Sequence, residues 1–474
     1  MKKSNLLFVI VSLFIAILFG SFKYDNPKNY YVDYVTQNTK SCVCTTFDTI
    51  YFQAKVPRDE FINNQTVANC FAWKEFIALN WPADGSDNFG TPNDKSPVAW
   101  ETYMTKEVLM PANGQAPPAW GSTHNLLNAS TKHKRVLKHA SKFTNFMDTI
   151  TVVETGQAAP QSGPSWLGAH NNTNLWYEVL VNKDEYDYIT DPAHQFYNAD
   201  KQLQWAQKGN PIHLPKGSLN SDVVGAMEIK AAWMEVLATT AIDKGRYKMA
   251  EATIIDPING QQRDAEVALI GLHIIHKTEL QPTWIWATFE HVDNVPDNLK
   301  SVSGTYNLFN TVCTDRIIQV PAAYSPTKRD TTVTIKCDKY NVSPPYKLGL
   351  GGPAPAQLQV TRETPIDPNS ADVNTTVQKA IAKQYPNSVF QYYQLVDVIW
   401  SSNPTQDKDQ PKTGKLTLTG MNPSNYVANT SMETYLQQSK CIDCHQFGTI
   451  AGKSNFNSDF SFVLEAASSA LGEH

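Results

Sequence analysis

Beyond Ser21 this chain has no stretch apolar enough to cross a bilayer as a helix, which takes roughly 20 residues. It has no long run of lysine and arginine, and its formal net charge is −5 with a pI near 6.1. That balance gives no footing for a nucleic-acid partner, whose phosphates demand a basic face. The basic interlude from Lys132 to Lys142 is expected to be an ordinary solvated face. No internal repeat is visible, which argues against solenoids and propellers. Cysteine is scarce, 7 in 474 residues, so the fold must rest on a hydrophobic core rather than on a disulfide framework. With 41% hydrophobic and 18% charged residues the chain is neither disordered nor collagenous, and it is long enough to bury a large core.

The N-terminus reads as an export signal. Lys2 and Lys3 precede an apolar run from Leu6 to Gly20, short for a membrane span and right for a signal core. Small residues near Gly20 and Ser21 fit a cleavage site only in part, so residues 1–21 are either removed or kept as a membrane anchor. Export permits disulfides. Cys313 and Cys337 flank a hairpin-like stretch and are the expected pair; Cys70 could pair with Cys42 or Cys44, leaving one thiol over.

Local patterns predict an α+β protein. Val67 to Trp81 has apolar residues at helical spacing and is closed by Pro82 and Gly85. Met110 to His170 is rich in Pro, Gly, Asn, Ser and Thr and reads as loop. Met227–Leu237, Tyr247–Ile255, Ala265–His276, Thr283–His291 and Phe390–Trp400 are β-branched and aromatic and read as strands. Pro344 to Pro355 reads as a Pro/Gly loop. Asn429 to Lys440 and Asp459 to Leu471 are expected to be helices. The expected organisation is a signal or anchor over 1–21, a β-rich body over 22–425 with helices near both ends of the chain, and a C-terminal segment over 426–474 packed against that body.

One motif carries chemistry. Cys441-Ile442-Asp443-Cys444-His445 places two thiols three positions apart, on one side of a helical turn, with an imidazole directly after them. At this composition the pattern arises by chance in about one chain in four hundred of this length. Two vinyl groups of haem can add to such thiols while the histidine ligates the iron from the same side. A thioredoxin-type pair is disfavoured, because no proline follows the motif. A zinc site would need more thiols from outside the motif, since there is no second Cys-x-x-Cys.

The motif resembles that of c-type cytochromes. The stretches FAWKEFIALNWP (71–82), GLHIIHKT (271–278) and WIWATFEHVDN (284–294) resemble large bacterial proteins grouped as a "cytochrome c family". The resemblance implies one covalent haem c on Cys441 and Cys444 with His445 as proximal iron ligand, and a periplasmic location. Small soluble cytochromes c have the motif near their start and a ligating methionine after it; here no methionine follows Cys441. The only histidine downstream of the motif is His474, and a sixth ligand, where there is one, is expected from upstream. Met421, Met432, His276 and His291 are the candidates, with His273 close by. Trp233, Trp284, Trp286 and Trp400 could line the pocket, and Lys230 and Arg362 could pair with propionates.

Two functions follow. In the first the iron has two strong ligands and the body docks a redox partner protein. In the second the sixth position is open, a small-molecule oxidant or substrate binds there, and His276, His291 or Glu290 acts as acid or base as in a peroxidase or oxygenase.

Overall fold

The computed structural model describes residues 52–122, 135–139, 166–297, 299, 302–452 and 455–469. The expected signal segment, and Cys42 and Cys44 with their pairing, lie outside these residues. Residues 44–474 form one compact unit, so the C-terminal segment belongs to the same body as the strands.

The fold is α+β, built on a nine-stranded sheet. Its strands are β1 (Met104–Thr105), β2 (Arg135–Leu137), β3 (Leu175–Val181), β4 (Met227–Val236), β5 (Met249–Ile255), β6 (Gln262–His276), β7 (Ile285–His291), β10 (Tyr393–Ser401) and β11 (Met421–Asn422). The order across the sheet is β1-β3-β4-β6-β7-β10-β11, with β5 also on β6 and β2 on β5. Every pairing is antiparallel except β2 with β5. The five strands expected from β-branched and aromatic runs are β4, β5, β6, β7 and β10. A separate hairpin of β8 (Arg316–Val320) and β9 (Thr331–Ile335) is closed by the Cys313–Cys337 disulfide, as the spacing suggested.

Helix α1 (Gln65–Leu79) starts where Asn64 accepts a hydrogen bond from the Val67 amide at 3.0 Å. It is buried nearly all round, not on one face only, because it lies between the sheet and a second helix, α4 (Pro368–Gln384). Its polar groups are matched there: Asn69 donates to Ser370 Oγ and the Trp73 indole to Asn374 Oδ1, both at 3.0 Å. Phe76 stacks on Phe289 of β7 at 4.5 Å, which fixes the face of the sheet that α1 covers.

The opposite face carries α2 (Lys183–Thr190), α3 (Ala199–Gln207) and the C-terminal segment. Tyr186, Ile189, Ala199 and Ala206 share a core with Ile275, Trp286, Ile399, Ile442 and Phe460. Gln202 ties α3 to that segment, donating to the Leu464 carbonyl and accepting from the Ala451 amide, each at 2.9 Å.

Three expectations are corrected. Residues 429–440 are turns rather than a helix. Asn429 Oδ1 accepts from the Ser431 amide at 2.9 Å, and the Thr430 amide donates to Glu290 of β7 at 3.0 Å, so side chains and the sheet take up donors a helix would need. Residues 459–469 hold only a single 3-10 turn at Leu464–Ala466, because Asp459 and Phe460 adopt left-handed conformations, φ 57° and 69°. The described part of the basic interlude, 135–139, is not a solvated face. Arg135 is buried, paired with Glu178 at 2.6 Å and Glu101 at 2.9 Å, and its guanidinium lies 4.2 Å from the Trp233 ring centre.

Candidate functional site

The motif forms a five-residue helix, α5 (Cys441–His445). Asp443 accepts the Lys440 amide at 2.9 Å, which satisfies a donor at the helix start and sets where the turn begins. Ile442, between the cysteines, is 3% exposed and docks the turn into the core formed by β6, β7 and β10. Cys444 is buried and Cys441 half-buried.

His445 is held from three directions. Its Nδ1 lies 2.8 Å from the Phe460 carbonyl oxygen. A carbonyl only accepts, so Nδ1 carries a proton, and whenever the ring is neutral its lone pair lies on Nε2. The Trp286 ring centre lies 4.6 Å away and that of Phe462 4.7 Å away, which limits rotation of the imidazole. The left-handed pair Asp459-Phe460 turns that carbonyl toward the ring, and such strain persists only where surroundings enforce it. Here they do: the Trp284 indole, itself at φ 68°, donates to the Asp459 carbonyl at 3.0 Å, and Lys277 binds the Asp459 carboxylate at 2.5 Å. A tautomer fixed by a backbone carbonyl, beside two thiols on one turn, is a donor set able to bind a metal through nitrogen.

The other sequence candidates separate by face. In antiparallel pairs, opposed residues point the same way. Ile275 opposes Trp286, so the motif side of the sheet is read from these two. His276 points to the other face. Its ring stacks on Phe71 of α1, Nδ1 lies 2.5 Å from Glu75 Oε1, and Nε2 lies 2.8 Å from the Val224 carbonyl. Burial alone would lower its pKa, but the hydrogen bond and charge of Glu75 outweigh it and the net shift is upward. His291 also faces away. It stacks on Tyr247 at 3.9 Å, Nε2 meets the Arg246 carbonyl at 3.0 Å, and Nδ1 accepts the Asp293 amide at 3.1 Å. Burial pulls its pKa down to about 4. Both histidines thus have both ring nitrogens engaged, on the face of the sheet away from the motif.

Glu290 is on the motif side but is an anchor. It pairs with Arg362 and accepts the Thr430 amide at 3.0 Å and hydroxyl at 2.8 Å. Arg362 is thereby committed on one side, while its Nε and Nη1 are buried without a protein partner. Met432 packs with Ala232, Met234 and Ile270 in a different core cluster from Ile442. Gly271 lacks a side chain where the Ser431 hydroxyl and Met432 methyl stand. Met421, on β11 against Ser401, packs on the same cluster as Ile442, Trp286 and Cys441. It is the one sulfur among the sequence candidates that shares the motif's surroundings. Trp284 and Trp286 also belong there. The Trp400 indole donates to Gln65 of α1 at 2.9 Å, and that of Trp233 to Glu178 at 2.8 Å, so both serve elsewhere. Lys230 lies 5.6 Å from the Tyr177 ring centre.

Sequence reasoning missed the carboxylates under the C-terminal segment. Glu228 on β4 opposes Ile275 and so faces this segment; burial pushes its pKa up to about 7, partly offset by the Ser461 hydroxyl. Glu185 on α2 is fully buried, its two oxygens unpartnered, and is pushed up by burial and then by Glu228 and Asp459. Burial likewise raises Asp459 to about 7 despite Lys277. Strand alternation could have placed Glu228 facing inward, since Met227 to Val236 was read as a strand. Nothing local marks Glu185.

No protein-family model matches this chain, and neither a curated protein nor a solved structure does.

Proposed function

We propose that this chain is an exported monohaem c-type cytochrome with an electron-transfer role. Cys441 and Cys444 would carry the haem as thioethers, and His445 would ligate the iron through Nε2. The observation that carries this reading is His445 itself, fixed by the Phe460 carbonyl into the tautomer a proximal ligand needs, one residue after two thiols on a helical turn. Haem c supplies a one-electron redox centre when bound. The chain's own residues hold the ring that ligates it, exclude water with Ile442, Trp286 and Phe462, and offer Met421 as the sixth ligand.

Electron transfer is preferred over the peroxidase or oxygenase alternative because His276, His291 and Glu290, the residues that would have done acid–base work, are engaged elsewhere. The Cys313–Cys337 disulfide and the basic-apolar N-terminus support an oxidising, periplasmic setting. Among the described residues no helix is long and apolar enough to cross a membrane. The redox partner would be a protein.

The test is the visible spectrum of the dithionite-reduced, purified protein with its haem-motif variants. A haem c α-band that survives acid-acetone extraction supports the reading. His445→Ala should lose normal low-spin ligation while keeping covalent haem. Covalent haem in the Cys441→Ala, Cys444→Ala double variant would overturn it.

A further inference from the structure

A second group of metal-ligating side chains lies away from the cysteines. After α3 the chain passes through Pro211 to His213, and the next amide, Leu214, donates to Asp459 Oδ2 at 2.7 Å. This pins His213 beside the left-handed turn at Asp459. Asp407 reaches the same place from the 3-10 turn Asp407–Asp409. One ligand atom from each of His213, Asp407 and Asp459 lies within 4.8 Å of the others. His213 and Asp459 border a small open concavity that Asn457 and Gln410 also line.

Three buried polar atoms at this concavity lack a partner: His213 Nδ1, Asp459 Oδ1 and Asn457 Oδ1. Asp459 is 2% exposed and Asn457 7%. The Asn457 amide is oriented, since its nitrogen donates to the Pro411 carbonyl at 2.6 Å, which leaves the oxygen for the concavity. Buried polar atoms without partners are costly, and they are rare unless water or an ion meets them. Lys277 is already present, 2.9 Å from Asp407 and 2.5 Å from Asp459, and one ammonium is shared between the two carboxyl groups. Lys412 also lines the concavity, with its amine committed to the Gly209 carbonyl.

We propose that His213, Asp407 and Asp459, with the Asn457 amide oxygen, form a binding site for a divalent transition-metal ion, zinc in the first instance. One imidazole with two carboxylates and an amide oxygen suits zinc better than calcium or magnesium, which take oxygen donors alone. Lys277 holds the outer carboxylate oxygens and steers the others inward, as outer partners of metal ligands commonly do. The proposal is independent of haem attachment. It does reach the same turn, because Asp459 precedes Phe460, whose carbonyl orients His445.

The experiment is zinc titration of the full-length exported protein after dialysis against a chelator. Bound zinc is counted by elemental analysis and its affinity measured by calorimetry. The wild type should bind one zinc per chain. His213→Ala and Asp407→Asn, both at half-buried positions, should each weaken binding at least tenfold while circular dichroism stays unchanged. A His213→Cys variant, with a thiolate in place of the imidazole, should restore much of the affinity. No zinc bound by the wild type would mean that water fills the concavity, and the proposal fails. Zinc binding that His213→Ala and Asp407→Asn leave intact would place the metal elsewhere, such as at Cys441 and Cys444, and would equally overturn it.

Discussion

Replacing His276 with leucine separates a structural histidine from one at the iron. His276 and Glu75 are both 0% exposed at the side chain, 2.5 Å apart, and the second ring nitrogen binds the Val224 carbonyl. The His276→Leu variant leaves Glu75 buried without its partner and the carbonyl without a donor. Breaking one side of such a buried pair costs about 3–5 kcal/mol. Glu75→Gln keeps a neutral hydrogen bond to the ring and should cost no more than about 1.5 kcal/mol. Replacing both residues with apolar ones should be milder than His276→Leu alone, the non-additivity expected of partners in contact. The folded protein holds protons on this pair more tightly than the unfolded chain, because the pKa values of both groups are raised. Their contribution is therefore full at low pH, below the ordinary carboxylate value near 4.5 for Glu75 and the ordinary imidazole value near 6.5 for His276. It is lost as pH rises through the folded values. Urea unfolding followed by tryptophan fluorescence between pH 5 and 8 measures both effects. A His276→Leu protein of wild-type stability whose reduced haem spectrum or carbon monoxide response has changed would refute this reasoning and return His276 to the iron.

Three further outcomes are expected. Glu228→Gln removes a buried acid whose pKa is raised from 4.5 to about 7, so its contribution, fullest below pH 4.5, fades as pH passes 7. The variant should be up to about 3 kcal/mol more stable than wild type at pH 8 and show no such gain at pH 4, checked by denaturation at both pH values. Arg135→Met leaves Glu178 and Glu101 buried with less countercharge, and Lys248, 3.2 Å from Glu101, compensates in part; unfolding should show a loss of about 3 kcal/mol or more. Met421→Ala should make a carbon-monoxide-inert haem bind the gas, read from the shift of the reduced Soret band, whereas Met432→Ala should leave the spectrum unchanged and cost about 2–5 kcal/mol in packing.

Five strands of the sheet, β4, β5, β6, β7 and β10, were legible because they are long, β-branched and bounded by turn residues, and they lie within a few residues of where the pattern put them; β3 and the two- and three-residue β1, β2 and β11 were not read. Helix α4 was missed, although Asp367-Pro368 is a readable helix start and Val373, Val377, Ala380 and Ile381 keep helical spacing. The C-terminal helices were expected on propensity, and tertiary hydrogen bonds overrode it: Glu290 captures Thr430, and the Asp459-Phe460 turn is held by Lys277 and Trp284. In the candidate site, the motif was plain from spacing. Which face His276 and His291 occupy was not, since alternation gives two faces but not which of them meets a segment 150 residues away. The Arg135 pairs were hidden for a similar reason: Glu101 and Glu178 are 34 and 43 residues distant.

The central claim is covalent haem on Cys441 and Cys444 with His445 beneath it. The most direct measurement is the dithionite-reduced visible spectrum of the purified exported protein, with intact mass recorded on the same sample. The account predicts a haem c α-band, a mass increased by one haem, and loss of both in the Cys441→Ala, Cys444→Ala variant. A wild-type chain without that band, exported through a haem-attaching host and carrying no added mass, would contradict it.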